Sequence, residues 1–312
     1  MWRKWIPVTP WATLSAATLR PAWYGRRSIL LGRERAFLNR CPHRGSRLLD
    51  EDAPPTAAPV LVCPYHGMGW RTDNGALTKA PRWDTCPALV LHRLAVAKYG
   101  PFTMVHARPD AKFPGQDPVP LERRLAEDLM VVRAQEEVHV RAPVPVVMEN
   151  FLDTYHVPCL HRATLLPSSR VERHREVGVD PWGWHFSTRL ETPSPMVRGA
   201  DPVAYYTGVW PAAFAFRLET HVFAVTLRPV GRPGEDEGTV ETATLLAPPA
   251  WTDAEVRETL AFYRDVNNED VVACERVARG RPDGLGGPPD VYHPELERYA
   301  REFAERVEGT GG

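Results

Sequence analysis

Cys41-Pro42-His43-Arg44-Gly45 and Cys63-Pro64-Tyr65-His66-Gly67 are a Cys-x-His and a Cys-x-x-His pair, with 19 residues between His43 and Cys63. A single Cys or His is common as a buried small residue, but this doubled, mixed pair is not. A 2Fe-2S cluster whose two irons are held differently, one by two thiolates and the other by two neutral imidazoles, needs ligands of two kinds in equal number. Two similar loops, each giving one Cys and one His, meet that demand. Gly45 and Gly67 would let the backbone approach the cluster, where amide donors to sulfur tune its potential. A structural zinc is the competing metal, although zinc fingers pair Cys with Cys and then His with His, whereas each hairpin here is mixed.

The residues around these loops read as short strands: Ser28-Ile-Leu-Leu, Arg35-Ala-Phe-Leu, Val60-Leu-Val-Cys and Leu89-Val-Leu-His. Asn74-Gly75, between Trp70-Arg-Thr and Ala76-Leu-Thr, is a hairpin signal. The first part of the chain is therefore expected to be all-β. From Arg108 to about Pro118 the sequence becomes rich in Pro, Asp and Gly, as an interdomain connection would be. Two domains are expected, residues 1–118 and 119–312, which suits a chain of 312 residues.

In the second part, Val131-Val-Arg and Val138-His-Val-Arg predict two strands, and Val146 to His156 predicts a helix that Pro158 ends. Strands are expected at Trp184-His-Phe-Ser, Ala213-Phe-Ala-Phe-Arg, Val222-Phe-Ala-Val-Thr-Leu and Thr242-Ala-Thr-Leu-Leu. Thr252 with Glu255 is a capping box opening one helix, and a second helix is expected from about Asn268 to Gly280. The fold class is thus α+β: an all-β domain followed by an α+β domain with an antiparallel sheet covered by helices.

The segment Glu149 to His161 carries a second cluster of chemistry. On a continuous helix Glu149, Asp153 and His156 share one face. The other positions, Val146, Val147, Phe151 and Val157, make that helix apolar nearly all round and hence buried. Buried carboxylates and imidazoles need partners, and a cation is an economical one. Pro158 turns the chain so that His161 comes back beside His156. Two His and one carboxylate on one face of a metal, with open positions opposite, is the arrangement of non-haem Fe(II) oxygenases. Asp270 is the candidate carboxylate, on the apolar side of its helix with Ala273, Cys274 and Val277, while Glu269 lines up with Val272 and Arg276. An acid favoured by the dipole at a helix N-terminus is the other explanation of Asp270.

The stretch from about Phe37 to Pro81 resembles the cluster domain of the Rieske non-haem iron oxygenases, and Glu-Asn-x-x-Asp-x-x-His-x-x-x-x-His with Asn268-Glu-Asp-Val-Val resembles their catalytic domain. Respiratory Rieske proteins carry an extra Cys in each loop, and Ser46 and Tyr65 stand at those places here. Carried over residue by residue, the resemblance implies that Cys41, His43, Cys63 and His66 hold a Rieske 2Fe-2S cluster. It implies equally that His156, His161 and Asp270 hold a mononuclear Fe(II). Asp153 would bridge His156 to a cluster His of a neighbouring subunit, and Asn150 would line the iron site. The resemblance further implies a homotrimer, a separate reductase or ferredoxin as electron donor, and O2 with a small organic substrate as reactants. At 312 residues the chain is nearer in length to the single-subunit monooxygenases and demethylases than to the α-subunits of two-subunit aromatic dioxygenases.

Composition excludes several classes. A net charge of −1 argues against a chain that coats nucleic acid or an anionic membrane. No run approaches the length of a membrane helix, and Pro7, Thr9 and Pro10 interrupt any signal-peptide core, so a cytoplasmic protein is expected. Five cysteines over this length make no disulfide framework. No Gly-x-Gly-x-x-Gly follows a strand, so the electrons must come from another protein. His106, His139, His185 and His221 read as structural, Cys159 as a small buried residue, and Arg217 and Arg228 as structural pairs before substrate clamps. A Rieske-type electron carrier fused to a non-catalytic ligand-binding domain is the alternative of another class.

Overall fold

The structure is a computed structural model describing residues 5–81, 88–115, 128–153, 156–165, 175–180, 183–189, 203–232 and 236–280. The chain divides into two compact units, Trp2–Pro114 and Gly115–Gly312.

Among the described residues the first unit is antiparallel β. Its strands are β1 (Ile6–Pro10), β2 (Arg20–Tyr24), β3 (Arg27–Leu31), β4 (Ala36–Leu38), β5 (Val60–Val62), β6 (Gly69–Arg71), β7 (Leu77–Lys79), β8 (Arg93–Tyr99) and β9 (Phe102–His106). They form a six-stranded sheet in the order β1-β9-β8-β4-β3-β2 and a three-stranded sheet in the order β5-β6-β7. Strand β3 shows how the sequence does this. Ile29, Leu30 and Leu31 are all buried because successive side chains point to opposite faces and both faces are covered. Leu30 joins Phe37, Trp70 and the two loop cysteines in one core, while Ile29 and Leu31 join Tyr24 and Leu94 in the other. Each such side chain contributes roughly 1.5–3 kcal/mol by leaving water.

The hairpin at Asn74-Gly75 forms as expected between β6 and β7: Ala76 N–H donates to Asn74 Oδ1 at 2.9 Å, and Arg71 N–H to Ala76 O at 2.8 Å. Leu89-Val-Leu-His is not a strand. Val90 makes only an isolated bridge to Ala76, and the pairing segment begins at Arg93. Pro87 and Ala88 precede an apolar triplet too short to alternate, whereas Arg93 to Tyr99 does alternate and finds β9.

The second unit carries a seven-stranded antiparallel sheet in the order β10-β16-β15-β14-β13-β12-β11 among its described residues. The strands are β10 (Val131–Val140), β11 (Arg175–Asp180), β12 (Gly183–Arg189), β13 (Val203–Val209), β14 (Ala213–Arg217), β15 (Val222–Val230) and β16 (Gly238–Ala247). The two strands expected between 131 and 141 are one continuous strand, because Gln135, Glu136 and Glu137 pair in regular register with Thr244, Ala243 and Thr242 of β16; the one register shift falls earlier, between Val132 and Ala134. Among the described residues three helices accompany the sheet: α1 (Val144–Leu152), α2 (Val157–Leu160) and α3 (Asp253–Gly280). Val146, Val147 and Met148 of α1 and Val256 and Cys274 of α3 pack on Phe214, Phe216, Phe223, Val225 and Leu245 of the sheet.

Two helical expectations are corrected. The helix expected to reach His156 ends at Leu152, and Asp153 is extended with ψ 106°. A helix continuing through Pro158 would lose an N–H bond and meet the proline ring. Instead α2 begins afresh with proline in its first turn, where no N–H is needed. Asp153 and His156 therefore do not share a helix face with Glu149. The helix expected to start at Asn268 is the second half of α3, which runs unbroken for 28 residues. The capping box at its start is present, with Thr252 N–H donating to Glu255 Oε2 at 2.7 Å and Glu255 N–H to Thr252 Oγ1 at 3.3 Å. No Gly or Pro interrupts it, and buried Asn267 bonds to Glu241 rather than ending a helix. Asp270 consequently lies deep inside α3, where the dipole of an N-terminus gives no reason for an acid.

Candidate active site

The two Cys/His loops have the same backbone construction. Cys41 N–H donates to Ser46 O and Gly45 N–H to Cys41 O, at 2.8 and 2.9 Å; Cys63 N–H donates to Met68 O and Gly67 N–H to Cys63 O, again at 2.8 and 2.9 Å. Gly45 and Gly67 close these turns with φ of 80° and 69°, which an L side chain resists. Asn39, unremarked in the sequence, anchors the first loop. Its side chain accepts from Leu48 and Leu49 N–H and donates to Leu49 O and Ser28 Oγ. Its signal is an Asn directly after the apolar strand Ala36-Phe37-Leu38 and two residues before Cys41.

Cys41 and Cys63 are buried, and the ionisation of each bears on the other. Desolvation raises the Cys41 thiol although the His43 N–H donates to it. Desolvation also acts on Cys63, but N–H donors from Tyr65 and His66 outweigh it and the thiol is lowered. Amides thus point at both sulfurs, as thiolates holding a cluster require. The rings of His43 and His66 lie 4.8 Å apart. Desolvation and the neighbours His66 and Arg44 lower His43, favouring the neutral form that binds metal. His66 Nδ1 is buried with no hydrogen-bond partner among the described residues. Two sulfurs, two imidazoles and an orphaned ring nitrogen fit a Rieske cluster.

In the second unit, His156, His161 and Asp270 each turn one ligand atom into a cluster spanning no more than 4.8 Å. His156 Nε2 is 3.2 Å from His161 Nε2, and Asp270 Oδ1 is 3.4 and 3.2 Å from the two nitrogens. Metal bonds of about 2.1 Å at right angles put neighbouring ligands about 3.0 Å apart, so this triangle fits one face of an octahedral metal. Asn150 Nδ2 donates to Asp270 Oδ1 at 3.2 Å across 120 residues of sequence. Desolvation would raise Asp270, but His156 and His161 outweigh it and hold its carboxyl low. His161 is pulled down by burial and raised, on balance, by Asp270 and Glu269.

Asp153 Oδ2 is 4.0 Å from His156 Nδ1. Glu269, which sequence periodicity put on the outer face of its helix, instead has Oε2 at 2.7 Å from His161 Nδ1. Of the residues expected on the apolar side, Cys274 is buried, whereas Val277 is 37% exposed, since the buried stripe passes through Asn267 and Cys274. Cys159 is exposed rather than buried, because α2 is a single turn whose outer side it occupies. Arg217 is buried and donates to Thr207 Oγ1 at 2.6 Å. Its register with Val222 puts it on the sheet face opposite Phe214, Phe216 and the helices, as does that of Arg228 with Val240. His106, His185 and His221 are buried, and His106 Nδ1 accepts from Arg108 N–H at 3.0 Å.

The family model described as ring hydroxylating alpha subunit (catalytic domain) matches residues 129–309, and that of the Rieske [2Fe-2S] domain matches residues 4–99. The chain belongs to the Rieske ring-hydroxylating oxygenases. It is an oxidoreductase of the Rieske non-haem iron type, and its family carries a Rieske cluster and a mononuclear iron. The chloroacetanilide N-alkylformylase oxygenase component of Rhizorhabdus wittichii is 26% identical over 79% of this chain and 70% of its own length. The carnitine monooxygenase oxygenase subunit of Escherichia coli K12 is 24% identical over 82% of this chain and 69% of its own. Among solved structures, a quaternary ammonium Rieske monooxygenase superposes with a TM-score of 0.79 at 20% identity, covering 98% of this chain and 88% of the other. Naphthalene 1,2-dioxygenase from Rhodococcus gives 0.75 at 16% identity, covering 98% and 89%. The α+β fold with an all-β Rieske domain first is that of these oxygenases. Among the described residues no helix is long and apolar enough to cross a membrane.

Proposed function

We propose that this chain is the cytoplasmic oxygenase component of a system in which a separate reductase or ferredoxin supplies electrons and O2 is used to hydroxylate or oxidatively demethylate a small organic substrate. Residues 1–118 form the cluster domain and residues 119–312 the catalytic domain. Cys41, His43, Cys63 and His66 hold the cluster; His156, His161 and Asp270 hold the mononuclear iron. The convergence of those last three ligand atoms within 4.8 Å carries the reading. When bound, the iron supplies the open coordination positions at which O2 chemistry occurs.

The chain's own residues do the rest. Asn150 holds the Asp270 carboxylate by one oxygen. Asp153, extended beyond the end of α1 and beside His156, is the bridge to a cluster histidine of the next copy in a homotrimer. For the substrate, we favour a small molecule bearing an N-alkyl group. The relatives named above act, by their names, on a chloroacetanilide N-alkyl group and on carnitine.

Iron analysis of protein purified without oxygen tests the reading. About three irons per chain are expected, against about two for an electron carrier fused to a ligand-binding domain. In His156→Ala the third iron should be lost while the cluster absorption persists. Bleaching of the cluster in that variant would refute the assignment of two separate centres.

A further inference from the structure

Glu269 precedes Asp270 in sequence yet serves the opposite side of the same imidazole. His161 Nε2 faces Asp270 Oδ1 at 3.2 Å, and His161 Nδ1 faces Glu269 Oε2 at 2.7 Å. The same Glu269 oxygen accepts from Thr164 Oγ1 at 2.8 Å, which fixes the carboxylate from a second direction. Glu269 lies outside the cluster of ligand atoms made by His156, His161 and Asp270, so it is not a fourth ligand. Adjacent residues of a helix point about 100° apart, which lets α3 reach both edges of one buried ring. His161 itself is 1% exposed, so no bulk water competes for its Nδ1.

A metal-binding imidazole offers one nitrogen as ligand and carries a proton on the other, and the partner of that proton fixes tautomer, ring orientation and basicity. We propose that Glu269 is the positioning residue of His161: its carboxylate accepts the Nδ1 proton and presents Nε2 as the lone pair toward the iron. This rests on the reading of His156, His161 and Asp270 as iron ligands. Thr164 buttresses Glu269 and does not act on the ring directly. Among the described residues His156 is held less closely: Asp153 stands 4.0 Å from its Nδ1, against 2.7 Å between Glu269 and His161.

The test is an anaerobic Fe(II) titration of protein that keeps its cluster but has been stripped of mononuclear iron. Glu269→Ala should weaken Fe(II) binding about 10- to 100-fold, the range for loss of an outer partner of a ligating His. Glu269→Gln should recover part of the loss, because its amide oxygen still accepts from Nδ1–H. Thr164→Val should lose less than Glu269→Ala. The EPR spectrum of the nitric oxide adduct should change in Glu269→Ala and move back toward wild type in Glu269→Gln. Unfolding temperature and cluster absorption serve as folding controls. Wild-type affinity in Glu269→Ala, no recovery in Glu269→Gln, or equal losses in Glu269→Ala and Thr164→Val would each overturn the proposal. If Glu269→Ala keeps its affinity while His156→Ala loses the iron, the positioning role alone fails. If His156→Ala keeps the iron, the underlying reading fails.

Discussion

The two metal-binding regions are built on opposite plans. The Cys/His loops draw all four candidate ligands from one short span, each loop closed by its own backbone bonds and its own left-handed glycine. The second site gathers His156 and His161 from one end of the chain's catalytic half and Asp270 from α3, with cross-braces at 108 and 120 residues of separation. The first is made by local geometry, the second by packing. A local site resists changes elsewhere, whereas an assembled site depends on every contact that sets the position of α3.

The residue that most sharply separates the two plans is Asp153, which under the proposed function belongs to neither metal yet connects them. Its backbone is extended and its carboxylate stands beside His156. Asp153→Asn should leave both centres loaded, as read by iron content and cluster absorption, and nearly abolish turnover coupled to electron delivery. The slow step should move to re-reduction of the mononuclear iron in single-turnover experiments. Full activity in this variant would remove the bridge and leave the two regions independent.

A smaller effect follows from the acids that packing has buried in the second unit. Glu241, 1% exposed, accepts from Tyr263 Oη at 2.7 Å. Desolvation, opposed by Tyr263 and reinforced by the charge on Asp270, pushes its pKa up to about 7. A carboxyl whose folded value lies above its unfolded one binds its proton more tightly when folded. Its stabilising contribution is therefore complete below the unfolded value of 4.5 and is lost as pH rises to about 7. The loss is on the order of 3 kcal/mol at 1.36 kcal/mol per pKa unit. In protein stripped of the mononuclear iron, Glu241→Gln should flatten the fall of the unfolding temperature across that window. An unchanged pH profile would show that Glu241 is not the group responsible.

The same contrast governs what the sequence reveals. Cys41, His43, Cys63 and His66 are legible because the spacing that identifies them is also the spacing that positions them. The strands β3, β14 and β15 are legible because an apolar run bounded by turn residues suits a covered strand. His156, His161 and Asp270 could be proposed from pattern, and the structure brings them together. Their braces could not. Periodicity assigns Glu269 outward because it describes a helix against one flat neighbour, while His161 approaches α3 from the side that periodicity calls exposed. The break at Asp153 was hidden because a proline five residues later ends one helix or begins another with equal ease. The start expected near Asn268 is instead helix interior, where the neighbouring Asn267 is buried and bears on Glu241.

The smallest effect tests whether the cluster loops are as self-contained as their bonds suggest. A methyl group added at Gly67 would meet only Pro81 Cγ at 3.4 Å, an ordinary contact, so there is room for it. What remains is the backbone, held at φ 69°, where an L residue costs about 1–2 kcal/mol. At Gly45 the added methyl also meets Arg40 Nε at 3.1 Å, mixing a contact with the strain. Gly67→Ala should therefore lower the stability of the cluster unit by about that backbone amount. Thermal bleaching of the cluster absorption reads this loss directly, and Fe(II) affinity at the second site should stay unchanged. A fall in that affinity comparable to the loss in the loops would mean that the two plans are coupled and that the first site is not local after all.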